Sequence, residues 1–85
     1  MARLYIDVRE PFEYAMGHVN GAINIPVSSL MKGSQKLADI PKDAELIVYC
    51  RTGHRSAVAI SILKKLGYTD LVNGKSKSEV EANYL

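Results

Sequence analysis

Leu46-Ile47-Val48-Tyr49-Cys50-Arg51-Thr52-Gly53-His54-Arg55-Ser56, continuing through Ala57 to Leu66, is the stretch on which the fold turns. Residues 46–49 form an unbroken apolar run, the pattern of a strand covered on both faces rather than one. Arg51 to Arg55 is a polar loop containing Gly53, and Ser56 is predicted to open a helix over residues 56–66. In that helix Val58, Ile62 and Leu66, with Ala59 and Leu63, recur at helical spacing and are read as the core-facing stripe. Lys64 and Lys65 suit the negative end of the helix dipole, and Gly67 suits the residue just past its end. A buried strand leading through a short loop into a helix is the repeating unit of an α/β fold, in which ligands gather beyond the carboxyl ends of the strands.

The flanking sequence repeats the alternation. Residues 4–8 are rich in β-formers and predict a strand. Pro11 suits a first helical turn, giving a helix over residues 11–16 that stops at Gly17. His18-Val19-Asn20-Gly21 reads as a turn, residues 22–25 as a second strand ended by Pro26, and residues 27–31 as a short helix. Residues 32–43 are polar and broken by Gly33 and Pro41, with one helical turn over 35–38. After the central unit, residues 68–72 predict a further strand, Asn73-Gly74 a turn, and residues 78–85 a terminal helix with Ser78 as its N-cap. The expected architecture is α/β: a small, mainly parallel sheet flanked by helices on both faces, forming a single domain over residues 1–85.

Composition narrows the function classes. The chain has 85 residues, 47% of them hydrophobic and 24% charged, as in an ordinary soluble domain. The net charge of +2 is spread thinly, Trp is absent, and there is no basic run or basic–aromatic face for nucleic acid. No segment approaches the length of a membrane span, and no leader peptide is visible, so the expected compartment is the cytoplasm, or the periplasm if a leader has been removed. A single cysteine rules out an intramolecular disulfide, and with only His18 and His54 beside it no metal site is expected.

A lone cysteine often packs as a small hydrophobe. The surroundings of Cys50 favour a nucleophile instead. It lies at a strand's carboxyl end, directly before a loop and a helix start whose free N–H groups and positive dipole favour an anion. Arg51, Arg55 and His54 add positive potential, Thr52 and Ser56 supply hydroxyls, and Gly53 lets the backbone approach closely. Such settings lower a thiol pKa from ~8.5 into the range of ~3.5–7.5, and the thiolate is the reactive form.

Three stretches together resemble the rhodanese-like sulfurtransferases. Tyr5-Ile6-Asp7-Val8-Arg9-Glu10-Pro11-Phe12-Glu13-Tyr14 is similar to the family's opening strand and helix. Gly17-His18-Val19-Asn20-Gly21-Ala22-Ile23-Asn24-Ile25-Pro26 is similar to its G-H-x-x-G-A-x-N-I-P. Val48-Tyr49-Cys50-Arg51-Thr52-Gly53-His54-Arg55-Ser56-Ala57 resembles its active-site loop, and Gly67-Tyr68 falls in place before the last strand. The resemblance covers residues 4–74. It implies that Cys50 takes the outer sulfur of thiosulfate or of a persulfide donor, becomes a persulfide, and passes the sulfur to a thiophilic acceptor such as cyanide, a thiol or a protein. Arg51, Thr52, Gly53, His54, Arg55 and Ser56 are then the substrate-binding loop, with Arg51 and Arg55 expected on the anionic donor. This chemistry calls for no metal or organic cofactor.

The six residues from Cys50 to Arg55 match the sulfur-handling members. Phosphatase and arsenate-reductase relatives carry one residue more, a wider cradle for a tetrahedral oxyanion. A module that only relays or binds sulfur is the other alternative. The chain departs from the family pattern in starting almost at the Asp7 strand, which leaves one sheet edge barer and suggests a monomer or weak homodimer. It departs again after the last strand, where Asn73-Gly74-Lys75-Ser76-Lys77-Ser78 replaces a glycine-rich stretch. Asp7 and Arg9 are expected to form a structural ion pair, His18 to be a hydrogen-bonded turn residue, and Tyr5, Tyr14, Tyr49, Tyr68 and Tyr84 to pack with solvated hydroxyls.

Overall fold

The structure, a computed structural model, describes residues 2–85; Met1, the first residue of the predicted domain, lies outside the described residues. Its elements are β1 (Arg3–Asp7), α1 (Pro11–Ala15), β2 (Ile23–Asn24), α2 (Val27–Lys32), a 3-10 segment (Gln35–Asp39), β3 (Glu45–Cys50), α3 (His54–Lys65), β4 (Asp70–Ser76) and α4 (Lys77–Asn83). The four strands form one sheet in the order β2-β1-β3-β4. Every pairing is parallel, with Ile6 opposite Val48 and Ile47 opposite Val72. No helix among the described residues is long and apolar enough to cross a membrane.

Strand β3 shows why its sequence is continuously apolar. Successive side chains point to opposite faces. Leu46, Val48 and Cys50 enter the core shared with Leu30 of α2 and with Ala59 and Leu63 of α3. Ile47 and Tyr49 enter a second core with Val19, Ala22 and Val80 of α4, against which Tyr14 of α1 packs. Helices thus cover both faces, and β3 has no solvent side. Each fully buried Val, Leu or Ile in it contributes roughly 1.5–3 kcal/mol. The same parity places the Cys50 side chain on the α3 face. From β1 the chain moves outward to β2, then crosses back to lay β3 on the other side of β1. The carboxyl ends of β1 and β3 therefore flank a topological switch point, where open α/β sheets bind ligands.

Several predicted boundaries and faces are corrected. Helix α3 begins at His54, two residues before Ser56, because Gly53 adopts a left-handed conformation (φ 102°) that turns the chain directly into the helix. The buried stripe of α3 is Ser56, Ala59 and Leu63, whereas Val58 and Leu66 are 52% and 43% exposed. Ala59 and Leu63 of the expected stripe are thus buried and Val58 and Leu66 are not, because the small Ser56 and Ala59 side chains let the helix lie close to the sheet on that face. Strand β4 runs through the predicted Asn73-Gly74 turn. Asn73 pairs with Val48 and Lys75 with Tyr49, so Gly74 is the extra residue of a bulge. A Cβ at Gly74 would lie 2.5 Å from Val80 Cγ2 and 2.9 Å from Ile47 Cγ2, which is why glycine occupies it. The N-cap of α4 is Ser76 rather than Ser78; its hydroxyl accepts from Glu79 N–H at 3.2 Å. Four of the five tyrosine hydroxyls donate to protein acceptors, Tyr5 to Tyr84 O, Tyr14 to Ala22 O, Tyr68 to Leu37 O and Tyr49 to Asp7, and Tyr49 and Tyr68 are buried rather than solvated.

Candidate active site

Cys50 ends β3 and is 2% exposed, yet its sulfur is not sealed in hydrocarbon. The Gly53 N–H donates to Sγ at 3.1 Å, and the Ser56 hydroxyl lies 3.5 Å from it. Burial pushes the Cys50 thiol up. The Ser56 hydroxyl and the backbone N–H groups of Ser56, Gly53 and Thr52 oppose it and prevail, bringing the pKa from 9.0 down to about 7. Gly53 is required on two counts: its positive φ, and a Cβ there would stand 3.3 Å from Lys75 Cγ.

The loop is held from β4. Ser56 donates to Asn73 Oδ1 at 2.7 Å, Asn73 Nδ2 donates to the Gly53 carbonyl at 3.2 Å, and Lys75 N–H donates to Asn73 Oδ1 at 3.0 Å. Of the two loop arginines, Arg55 lies against Glu13 of α1. Its two terminal nitrogens donate to Glu13 Oε1 and Oε2 at 2.7 and 3.0 Å. That fork holds the Glu13 carboxyl well below its usual range, at about 2. Arg51 instead stands exposed at the mouth. It lines a hollow of about 170 Å³ with Arg9, Cys50, Ser76, Lys77 and Ser78. Thr52 is exposed in the loop, and His54 is exposed at the first position of α3. A larger hollow of about 480 Å³, lined by Ile60, Lys64, Tyr68, Thr69 and Leu71, sits at the other end of the sheet, away from Cys50.

Beneath the mouth lies a buried polar brace. Arg9 Nη2 donates to Asp7 Oδ2 at 2.7 Å and to Gly17 O at 2.7 Å, and the Tyr49 hydroxyl donates to Asp7 Oδ2 at 2.9 Å. Val19 N–H donates to the Tyr49 oxygen at 3.0 Å, and Asn24 Nδ2 bonds the Asp7 and Arg9 carbonyls. Asp7 and Arg9 thus form the expected ion pair. His18 stacks on Tyr14 at 3.6 Å and donates from Nδ1 to the Tyr14 carbonyl, as expected of a turn residue. Among the described residues no cluster of His, Cys, Asp or Glu has metal-binding geometry. Glu13, Asn73 and Lys77 were not singled out from the sequence. Asn73 did carry a signal, since a glycine inside a strand marks a bulge as readily as a turn.

A cysteine at a switch point, facing a glycine amide and a helix start, is the geometry expected from the strand, loop and helix around Cys50. The family model for the rhodanese-like domain matches residues 2–75. The chain belongs to the rhodanese-like domain family. It is 38% identical over 79 residues to the thiosulfate sulfurtransferase PspE of Escherichia coli, covering 93% of this chain and 75% of that protein. It is 44% identical over 68 residues to the probable adenylyltransferase/sulfurtransferase MoeZ of Mycobacterium tuberculosis, covering 80% of this chain but only 17% of that protein. A solved rhodanese with anions from E. coli superposes with a TM-score of 0.80 at 38% identity, over 92% of this chain and 91% of that one. The rhodanese-like fold therefore extends over nearly the whole chain.

Proposed function

We propose that this rhodanese-like domain is a sulfurtransferase that carries a sulfane sulfur as a persulfide on Cys50. A buried thiol kept acidic enough to ionise near neutral pH by the Ser56 hydroxyl and the amides of Ser56, Gly53 and Thr52, with the Gly53 N–H aimed at Sγ, is the observation that carries this reading. The Cys50 thiolate attacks the outer sulfur of thiosulfate. A new S–S bond forms, the S–S bond of thiosulfate breaks, and sulfite leaves with the bonding pair. The resulting persulfide anion is stabilised by the amides of Thr52, Gly53 and Ser56, in the manner of an oxyanion hole. Cyanide or another thiophile then attacks the terminal sulfur and regenerates the thiolate.

Arg51, with Arg9 and Lys77, lines the mouth and attracts the anionic donor, while Arg55 acts through Glu13 to fix the start of α3. Thiosulfate as the donor is supported by the PspE relationship. A thiosulfate-plus-cyanide assay tests the reading. Thiocyanate is expected from wild type and none from Cys50→Ser; turnover by the variant would sink it. A relay that hands its sulfur to a protein acceptor is supported by MoeZ, whose name couples adenylyltransferase with sulfurtransferase. That reading expects a stable adduct of about 32 Da on Cys50 with slow cyanide turnover.

A further inference from the structure

Ser56 has one hydroxyl proton and two acceptors within reach. The hydroxyl donates to Asn73 Oδ1 at 2.7 Å, and the Cys50 sulfur, 3.5 Å away, is placed to donate to Ser56 Oγ. This is the arrangement of a neutral thiol. A thiolate or persulfide anion has no proton to give and needs donors. For Ser56 to serve the anion, its O–H must turn from Asn73 toward sulfur. Asn73 tolerates the change, because its Oδ1 keeps the Lys75 N–H at 3.0 Å and its Nδ2 keeps the Gly53 carbonyl at 3.2 Å. Ser56 is fully buried, so the choice between the two acceptors is made inside the protein.

We propose that Asn73 is a positioning residue for Cys50: it holds the Ser56 hydroxyl away from the resting thiol and releases it when the sulfur becomes an anion. This rests on the reading of Cys50 as the nucleophile. No heavy-atom bond changes in the step. The thiol proton leaves to solvent, the Ser56 O–H rotates, and serine stays neutral. Asn73 therefore favours the thiol by one neutral hydrogen bond, worth about three- to tenfold in the acid constant, or half to one pH unit. The charged groups around the site are Arg9 (paired with Asp7), Arg51 and Lys77 at the mouth, Glu81 paired with Lys77, Glu79 on the Ser76 hydroxyl, Arg55 with Glu13, His54 at the head of α3, and Lys75 against Gly53. Removing the Asn73 side chain also frees the Gly53 carbonyl and the Lys75 N–H, an effect on the loop that the Ser56→Ala background retains and so separates from the effect on the hydroxyl.

The test is the rate of Cys50 alkylation by iodoacetamide as a function of pH. Asn73→Ala is expected to lower the midpoint by about half to one unit, Ser56→Ala to raise it, and Asn73→Ala to have no effect in the Ser56→Ala background. Asn73→Asp is nearly isosteric, grips the hydroxyl harder and adds negative charge. It is expected to raise the midpoint by more than about one unit. An unchanged or raised midpoint in Asn73→Ala overturns the proposal, as does an equal shift with and without Ser56. Should Asn73→Ala not fold, an unchanged or lowered midpoint in Asn73→Asp overturns it alone. A wild-type midpoint like that of a free thiol, with no adduct of about 32 Da after thiosulfate, would instead defeat the nucleophile reading. A low wild-type midpoint that is indifferent to residue 73 would defeat only the role of Asn73.

Discussion

Replacing Gly53 with alanine tests the link between backbone conformation and chemistry. At φ 102° a non-glycine residue is strained, and the new Cβ would press on Lys75 Cγ at 3.3 Å. If the loop keeps its shape, the strain costs about 1–3 kcal/mol of stability. In a domain of this size that lowers Tm by roughly 4–8 °C per kcal/mol. If the loop relaxes, the 3.1 Å bond from Gly53 N–H to the sulfur is lost. A hydrogen bond to a charged acceptor contributes about 1.5–3 kcal/mol, so the thiol would rise by about one to two units. Starting from about 7, where half the sulfur is ionised at neutral pH, the thiolate fraction would fall to about a tenth or a hundredth. Iodoacetamide alkylation at pH 7 reads that fraction, and a thermal melt reads the strain. Slower alkylation, a lower Tm, or both are expected. A variant with wild-type alkylation midpoint and wild-type Tm would refute the idea that this glycine aims the amide at the sulfur.

Arg51→Ala should raise KM for thiosulfate about tenfold with kcat and Tm nearly unchanged, because the side chain is exposed and its expected role is electrostatic capture of the donor; the effect should shrink at high salt. Glu13 is depressed from 4.5 to about 2 by Arg55, so its contribution is fully present above pH 4.5 and is lost as pH falls through about 2. With Arg55 partly exposed, that contribution is about 1–2 kcal/mol, and denaturant melts of Glu13→Gln should show a correspondingly shallower loss of stability between pH 5 and 2 than wild type. Gly74→Ala drives a methyl into Val80 at 2.5 Å and should cost about 1–3 kcal/mol, measured by thermal or urea unfolding.

What was legible in the sequence follows the distance over which the physics acts. The position of Cys50, the positive φ of Gly53 and a helix close behind them lie within a few residues of one another, so strand alternation and one glycine announce them, although the helix starts at His54 and not at the expected Ser56. The fork of Arg55 on Glu13 joins residues 42 apart, and the bond from Ser56 to Asn73 joins residues 17 apart. Neither pairing has a local signal, so Arg55 read as a free anion binder and Asn73 as half of a turn. Asn-Gly is equally compatible with a tight turn and with a strand bulge. The pairing of β4 with β3 decides for the bulge, because ending the strand at Val72 would leave Val48, Tyr49 and Cys50 without ladder partners on that side. The exposed Val58 and Leu66 make the same point for α3. Periodicity identifies a helix, but which face turns inward is set by what the sheet presents. Here Cys50 points up from β3, and only a helix showing Ser56 and Ala59 can come close enough to put a hydroxyl and an amide on the sulfur. Chemical fit at position 50 and small-residue packing of α3 are one constraint, so enlarging Ala59 should disturb the thiol as well as the core.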